Sequence, residues 1–390
     1  MPVTVLVEPN PSGHRYQAVA NVAAVAAETA EVVLLTSVGA RDAEEFVVYL
    51  ADAPVRVVER FGSTKPTTAE VAAEVAALLR AEDVTTVVHM DGDQDLKHWW
   101  YAAPRAFRGL PKPRVAFFLT RYPAKLKLSD ATGWKLRIPK ASLAVAAMAS
   151  GTMHHVAGFA GRDDMAKGWI VRRARDPEIC TAHARDRDQL RKELDLPADR
   201  KLVGIYGGIS ERKNARLVFE AMRAEGLDEA DLLLAGGVAP EVWAWIDALP
   251  AEDRARIIVR DGFLSNELLD KLVAASDVAP IALTNNGPSG IMGKASAAGV
   301  PVVTAGSEVR AQELIATDGG EVAELTAASI GAAIRRVFEK DPDAPRRNTV
   351  PPATAEEFSR SLLGVDAHGR VLGRTPRNRR NRSRLAPTSR

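Results

Sequence analysis

The segment with the clearest chemical pattern spans residues 286–304 and reads NGPSGIMGKASAAGVPVVT. A Gly-Pro break precedes Ser289, a residue type whose hydroxyl caps helix starts, and small residues then follow at helical spacing. The pattern predicts a short helix over 290–298, ended by a glycine and a proline, and then a buried strand. The amides of Gly290 and Ile291 would lack intrahelical partners, and the helix dipole favours an anion at that end. We therefore expect a phosphate group near Ser289; the alternative is an ordinary helix of an α/β domain.

A second candidate anion site is a loop that follows a predicted strand over 202–206. The loop contains Gly207 and Gly208, and Arg212 and Lys213 stand just before the next predicted helix. Glycine allows a ligand to approach the backbone, and the two cations favour an anionic group. Together with the helix start described above, this loop predicts a site that binds a diphosphate from two sides. The sequence shows neither a dinucleotide-binding GxGxxG pattern after the first strands nor a Walker loop.

Three loops in the first half of the chain carry further candidates. Gly13 and His14 follow the first predicted strand, where glycine permits close approach and histidine can face an anion or donate a proton. His89 ends a later strand and precedes three aspartates, and Arg121 follows another strand. His89 is equally interpretable as a capping or core-edge histidine. The aspartates resemble half of a calcium loop, but the closing glutamate is missing, so we expect no metal site.

Short β-rich segments alternate with helical ones along the chain, which predicts parallel sheets covered on both faces. Ligands of such sheets bind beyond the carboxyl ends of the strands, where the candidate loops lie. Strands are predicted over 3–7, 32–35, 55–58, 84–89, 115–119, 143–147, 155–159, 202–206, 232–235, 257–259, 278–283 and 302–304. Helices are predicted over 18–28, 69–80, 185–194, 215–225, 290–298 and 354–363.

The 390 residues are enough for two domains, each with its own core. The single cysteine, Cys180, excludes an intrachain disulfide and is typical of a reducing compartment. No stretch approaches the length of a membrane span, and the first residues lack a signal-peptide pattern. We therefore expect a cytoplasmic protein.

Although the net charge is only +2, the C-terminal segment is strongly basic. Eight arginines and no acid lie between His368 and Arg390, which leaves about −6 for the rest of the chain. The polar, non-periodic composition predicts a disordered tail. We expect an inert, solvated terminus; contact with nucleic acid or an anionic membrane is the alternative.

Five segments, in this order, resemble glycosyltransferase family 4. The match is good over 201–338 and looser in the N-terminal half, and the order of the segments is more specific than any one of them. The segments are LVGIYGGISERKN (202–214), LLLAGG (232–237), DGFLSNELLDKLVAASDVAPI (261–281), GPSGIMGKASAAGVPVV (287–303) and AQELI (311–315).

The resemblance implies an α/β protein of GT-B architecture, with two Rossmann-like domains whose parallel sheets face a central cleft. The implied parts are an N-terminal acceptor domain over 1–170, a connection over 171–200, a C-terminal donor domain over 201–345, a helix returning to the N-terminal domain over 346–366 and a basic tail over 367–390.

The resemblance also implies a hexosyltransferase-like enzyme that moves a sugar from a nucleotide-diphosphate sugar, such as a UDP or GDP sugar, to an unknown acceptor. Anomeric configuration would be retained, with no metal and no cofactor besides the donor. Lys213 matches the lysine that neutralises the diphosphate, and Phe263 lies in the segment that passes the base. Ser289 and Gly290 match the helix start beside the phosphates. Lys213, Arg212 and that helix start would stabilise the charge of the departing diphosphate.

The chain departs from the family at several positions. The family usually has an arginine where this chain has Gly208, and Arg212 is the candidate substitute. Two glutamates that usually contact the sugar and the ribose correspond to Asn286 and Lys294. A lysine cannot accept hydrogen bonds from ribose hydroxyls as a carboxylate does.

Two alternatives to this function remain. The first is a degenerate relative that binds nucleotide sugars without transfer, favoured by the missing glutamates. The second is a glycosyltransferase acting on nucleic acid, suggested by the arginine-rich tail. The family's N-terminal histidine has no unambiguous match, and His89 and Arg121 are the candidates near its place.

Overall fold

The computed structural model describes residues 1–12, 15–123, 126, 131–182, 186–285, 287–340 and 350–372. The predictions made for Gly13, His14, Asn286 and the arginine-rich tail beyond residue 372 therefore lie outside the described residues. No helix in the described part of the chain is long and apolar enough to cross a membrane.

All the strands but two follow a prediction closely in position. They are β1 Val3–Val7, β2 Glu31–Ser37, β3 Arg56–Phe61, β4 Val84–His89, β5 Arg114–Leu119, β6 His155–Ala160, β7 Arg172–Arg175, β8 Lys201–Tyr206, β9 Ala230–Gly236, β10 Ile257–Asp261, β11 Ala279–Ala282, β12 Val302–Ala305 and β13 Gly320–Ala323. The unpredicted strands are β7, within the segment interpreted as a connection, and β13, a short strand of mixed burial.

The helices alternate with these strands. They are α1 Arg15–Ala26, α2 Glu44–Leu50, α3 Thr68–Ala81, α4 Leu96–Ala106, α5 Ala131–Ala149, α6 Arg187–Glu193, α7 Ala215–Ala224, α8 Pro240–Asp247, α9 Ala251–Arg254, α10 Asn266–Ala274, α11 Gly290–Ala297, α12 Glu308–Thr317, α13 Ala327–Glu339 and α14 Ala355–Leu363. Short 3-10 turns cover Ala40–Asp42 and Glu211–Lys213.

The chain forms two compact units. Unit 1 contains Met1–Phe159, Ala166–Ala174 and the described residues from Glu356 onwards, and unit 2 contains Ala160–Met165 and Arg175–Ala355.

Unit 1 is built on a parallel sheet with the strand order β3-β2-β1-β4-β5-β6-β7. Alternate residues of β1 enter opposite cores, because successive side chains of a strand point to opposite faces. Val5 packs in the core beneath α3, α4 and α5. Leu6 packs in the core beneath α1 and α14, which includes Phe358 and Leu362. Strand order reverses direction between β1 and β4, so this is the switch point of unit 1.

Helix α14 is anchored on this second face of the unit 1 sheet. The ring of Phe358 lies edge-on to Phe118, with centroids 5.4 Å apart. The guanidinium of Arg114 donates to the carbonyl oxygens of Leu363 and Gly364, which hold the end of the helix.

Unit 2 repeats the same strand order. A parallel bridge between Val203 and Val278 joins two three-stranded sheets, and the amide of Gly204 donates to the Val278 carbonyl at 2.9 Å. The strands therefore run β10-β9-β8-β11-β12-β13. Helices α7, α8 and α13 cover one face, and α6, α10, α11 and α12 cover the other. Two Rossmann-like α/β units, as predicted, make up the chain.

One predicted strand is wrong. Residues 143–147 belong to α5, a helix of 19 residues, and only Ala144 and Ala147 of that segment are buried. Their spacing of three is helical, and alanine is the best helix former, whereas a short apolar run alone does not separate a strand from a helix.

Candidate anion-binding site

The switch point of unit 2 lies between β8 and β11, and the loops that follow these two strands leave the same edge of the sheet. Ligands of doubly wound sheets bind at this position because the two loops diverge and leave a crevice. The side-chain amide of Asn214 donates to the carbonyl of Ala282 at 2.6 Å and links the first loop to the end of β11. Both candidate anion loops of the sequence are therefore neighbours.

The glycines of the first loop border open space. Gly207 has a φ of 83°, which favours glycine, and a Cβ on Gly207 or Gly208 would meet no atom within 4 Å. A Cβ on Gly236, at the end of β9, would instead collide with the carbonyl of Gly207. The loops after β8 and β9 thus pack backbone against backbone and leave room above Gly207 and Gly208.

Lys213 ends the 3-10 turn of this loop, and its amide donates to the Ser210 carbonyl at 2.8 Å. The side chain is half-buried. Burial is the main cause that lowers the pKa of Lys213 to about 8, and the positive charges of Arg212 and Arg310 contribute to the same shift. Among the described residues no carboxylate pairs with Lys213 or with the exposed Arg212. Positive charge is therefore uncompensated here.

Arg310 is a site residue that the sequence analysis missed. It lies in the first turn of α12 and is fully buried. Its guanidinium donates to the carbonyls of Leu283, Asn285 (2.7 Å) and Gly287 (3.1 Å), all in the loop after β11. Burial lowers the pKa of Arg310 to about 10, partly offset by Glu313. No described residue accepts from its Nε.

One feature of the sequence could have revealed Arg310. It stands three residues after Ser307, which caps α12 through its hydroxyl. A cation in the first turn of a helix opposes the helix dipole, so it needs a compensating reason to be there. The carbonyls that Arg310 binds supply that reason.

The start of α11 is organised differently from the prediction. Ser289 occupies the N-cap position, but its hydroxyl makes no capping bond. The loop is held through its carbonyls instead, with Arg162 donating to Ser289 at 3.1 Å. Gly290 is exposed, and no atom lies within 4 Å of where its Cβ would be. The predicted end of the helix is confirmed, because Gly299 has a φ of 73°.

Lys294 does not face this opening. Its ammonium lies 2.5 Å from Oδ1 of Asp270 on α10, and both side chains are buried. The other oxygen of Asp270 accepts from the amide and the hydroxyl of Thr181. The partner of Lys294 in the structure is therefore a carboxylate.

Phe263 lies at the same edge of the unit 2 sheet, in the loop after β10. It follows Gly262, whose φ is 117°, and the residue is 47 % exposed. An aromatic ring with a free face is suited to stacking on a planar ligand.

The candidates of unit 1 are placed in two different environments. His89 is buried, with its ring 4.2 Å from that of Phe117 and its Nδ1 2.8 Å from Asp95. This placement favours the core-edge interpretation of His89. The side chain of Arg121 is exposed, and its amide donates to Asp93 at 2.8 Å.

A buried carboxylate at the switch point of unit 1 was also missed. Burial raises the pKa of Glu8 to about 7, although the nearby charge of Arg15 lowers it. Arg15 lies 3.3 Å from Glu8 and 2.6 Å from Asp91. Arg15 therefore forms ion pairs with two carboxylates.

Comparison with known proteins gives the fold. No protein-family model matches the chain, and no curated protein matches it. Sucrose-phosphate synthase from Thermosynechococcus elongatus is 14 % identical, with a TM-score of 0.59 over 93 % of this chain and 94 % of that one. Anabaena HepE, solved with UDP, is 14 % identical, with a TM-score of 0.55 over 93 % of this chain and 95 % of that one. The chain has the GT-B fold.

The GT-B fold does not fix one activity. A putative UDP-N-acetylglucosamine 2-epimerase from Listeria monocytogenes is 14 % identical, with a TM-score of 0.58 over 93 % of this chain and 95 % of that one. Because proteins of different names share this fold, the fold alone does not determine the function of the chain.

Proposed function

We propose that the chain is a glycosyltransferase that moves a sugar from a nucleotide-diphosphate sugar to an acceptor. The observation that carries the proposal is the uncompensated positive charge of Lys213 and Arg212, with Arg310 close to Lys213, at the switch point of unit 2. A diphosphate at this position would neutralise that charge. The GT-B fold and the family resemblance support the same conclusion.

The chemistry of the site is leaving-group stabilisation. As the bond to the sugar breaks, negative charge builds on the diphosphate, and protonated Lys213 stabilises it together with the amides at the start of α11. Arg310 keeps the carbonyls of the loop after β11 turned away from the anion by binding them. Because the protein supplies positive charge at the diphosphate, the proposed transfer needs no metal ion. Retention of configuration, which the family resemblance implies, needs no protein nucleophile.

Two positions bear on how the ribose and the base of the donor are held. Lys294 is held by Asp270 and does not take the place of a ribose-binding glutamate, so the ribose is held by other groups. Phe263 is the proposed stacking surface for the base. Since HepE was solved with UDP and with UDP-glucose, uridine nucleotides are the first ligands to test.

The second candidate function is nucleotide-sugar binding without transfer. The pairing of Lys294 with Asp270 favours it, because a residue that contacts ribose in the resembling family is here part of the core. In this second candidate function the nucleotide sugar binds at the same cationic site as in the glycosyltransferase, but the sugar is not transferred.

The experiment combines binding with turnover. Thermal-shift assays with UDP, GDP, ADP and the corresponding sugars are expected to show stabilisation by at least one nucleotide, because a ligand of the native state raises its stability. The donor that binds is then incubated with the protein and its release of nucleoside diphosphate is followed. Hydrolysis or transfer supports the glycosyltransferase, binding without either supports the second candidate, and no binding by any nucleotide overturns both.

A further inference from the structure

The segment from Leu96 to Ala149 has an unusual charge. It contains eleven lysines and arginines and a single acid, Asp130, so its net charge is +10 in a chain whose total is +2. The segment includes α4 and α5, and neither helix contains an acidic residue. Positive charge is therefore concentrated on one part of unit 1.

Helices α4 and α5 are neighbours on one face of the unit 1 sheet, and each buries its inner face in the same core. Their outer faces are continuous stripes of exposed residues at helical spacing. These are Lys97, Trp100, Pro104 and Arg108 along and just beyond α4, and Lys135, Ile138, Ser142, Val145 and Ala149 along α5. We call these residues, with Arg105, Lys112 and Leu136, the α4–α5 surface.

The basic residues of the α4–α5 surface are available for a partner. Lys97, Arg105, Arg108, Lys112 and Lys135 are exposed, and none of them forms an ion pair with any residue in the described ranges. Arg105 lies over the ring of Tyr101 at 5.7 Å, a contact that brings no negative charge to neutralise it.

Large apolar side chains stand among these bases. The exposed fractions are 45 % for Trp100, 48 % for Leu136, 58 % for Ile138 and 47 % for Val145. Isolated exposed apolar residues are ordinary, but here four of them lie on two adjacent helices that also expose basic residues, so the surface is both apolar and basic.

We propose that the α4–α5 surface binds the surface of an anionic lipid bilayer. Lysine and arginine are attracted to anionic headgroups, while tryptophan and aliphatic side chains enter the boundary with the acyl chains. A second copy of the chain is a poor occupant, because an isologous contact would bring like charges together. Nucleic acid would use the cations and Trp100 but would leave Leu136, Ile138 and Val145 without a role. This inference does not depend on glycosyl transfer.

Binding of the full-length chain to vesicles tests the proposal. Co-sedimentation is measured with vesicles of phosphatidylcholine alone and of phosphatidylcholine mixed with phosphatidylglycerol. The protein is expected to bind the mixed vesicles and not the neutral ones. Lys97→Glu/Lys135→Glu is expected to weaken binding by about tenfold or more. The matched control is Lys65→Glu/Lys192→Glu, which makes the same change in net charge at exposed lysines elsewhere and is expected to bind nearly as wild type.

A second variant separates the α4–α5 surface from the arginine-rich tail. Leu136→Gln/Ile138→Gln keeps every charge and is expected to weaken binding by about tenfold, since it removes apolar contact with the bilayer. Binding that depends on the tail alone would not respond to this variant. The proposal is overturned if both surface variants bind as wild type. It is also overturned if they lose affinity for a DNA duplex while vesicle binding is unchanged.

Discussion

The ammonium of Lys294 and the carboxylate of Asp270 form a buried ion pair between α11 and α10, with Nζ 2.5 Å from Oδ1. The pair fixes the inner face of α11, and the N-terminus of that helix borders the proposed diphosphate site. It also accounts for a lysine at a position where the resembling family usually has a glutamate. A glutamate here would face Asp270.

Restoring the family residue is therefore expected to damage the protein. Lys294→Glu places two carboxylates together in the core, and breaking a buried pair costs about 3–5 kcal/mol. Urea denaturation of the full-length variant is expected to show this decrease in the free energy of unfolding. Lys294→Met/Asp270→Asn, which removes both charges, is expected to recover most of it. Wild-type stability of Lys294→Glu would show that Lys294 is not held by Asp270.

Loss of Lys213 is expected to affect turnover far more than stability. Lys213→Ala removes the cation that stabilises the leaving diphosphate and is expected to lower turnover by about a hundredfold or more. Its melting temperature is expected to be unchanged or slightly higher, because a like charge beside Arg310 is removed. The control is Lys192→Ala at an exposed site. Full turnover by Lys213→Ala would contradict the proposed role.

The pKa of Lys213 gives the site a pH dependence. Its value of about 8 in the free protein lies below the ordinary 10.5. Because the unfolded chain holds this proton more firmly, the charged lysine lowers the stability of the fold below about pH 8, and this cost is relieved as pH rises from about 8 towards 10.5. Nucleotide binding needs the protonated form, so affinity for UDP is expected to fall above about pH 8.

Calorimetry can isolate this effect. Titrations of UDP near pH 8.5, in buffers of different ionisation enthalpy, are expected to show proton uptake on binding. Lys213→Arg stays charged throughout this range, so its proton uptake is expected to be smaller. Equal uptake by the two proteins would assign the proton to another group.

Arg310 is expected to affect both the loop and the ligand. Arg310→Met leaves three carbonyls without a donor, at about 1–3 kcal/mol for each that stays buried. Lower stability and weaker UDP binding are both expected, measured by urea denaturation and by thermal shift with nucleotide. Arg310→Lys keeps the charge but reaches fewer carbonyls, so its UDP affinity is expected to lie between the two. UDP binding equal to wild type in Arg310→Met would remove Arg310 from the site.

The end of the chain can be tested by truncation. A chain ending at Leu372 keeps α14 and the carbonyls that bind Arg114, so its stability is expected to match that of the full chain. A chain ending at Pro352 loses Phe358 and Leu362, and removal of buried side chains of this size costs about 2–5 kcal/mol each. Chemical denaturation of the two truncated proteins makes the comparison. Equal stability would show that α14 contributes nothing to unit 1.

The sequence by itself determined the local structure. Alternation of β-rich and helical segments gave the two Rossmann-like units, since the periods of strands and helices differ and are readable without contacts. The loop with Gly207, Gly208 and Lys213 and the helix ending at Gly299 were also readable, because glycines and prolines act on their own neighbours. The failure at 143–147 has the same origin, since short alanine-rich runs are ambiguous in period.

Only the tertiary structure decided which charges meet. Asp270 lies 24 residues from Lys294, and the carbonyls that Arg310 binds lie 23 to 27 residues from it. Arg15 has one partner 7 residues away and another 76 residues away. Spacing along the sequence therefore did not identify these partners. The sheet order brings the end of β8 beside the end of β11, and this placement turns Arg310 from an unremarked helix residue into part of the anion site. An ion pair needs two groups within a few ångströms, and the order in which strands pair sets that distance.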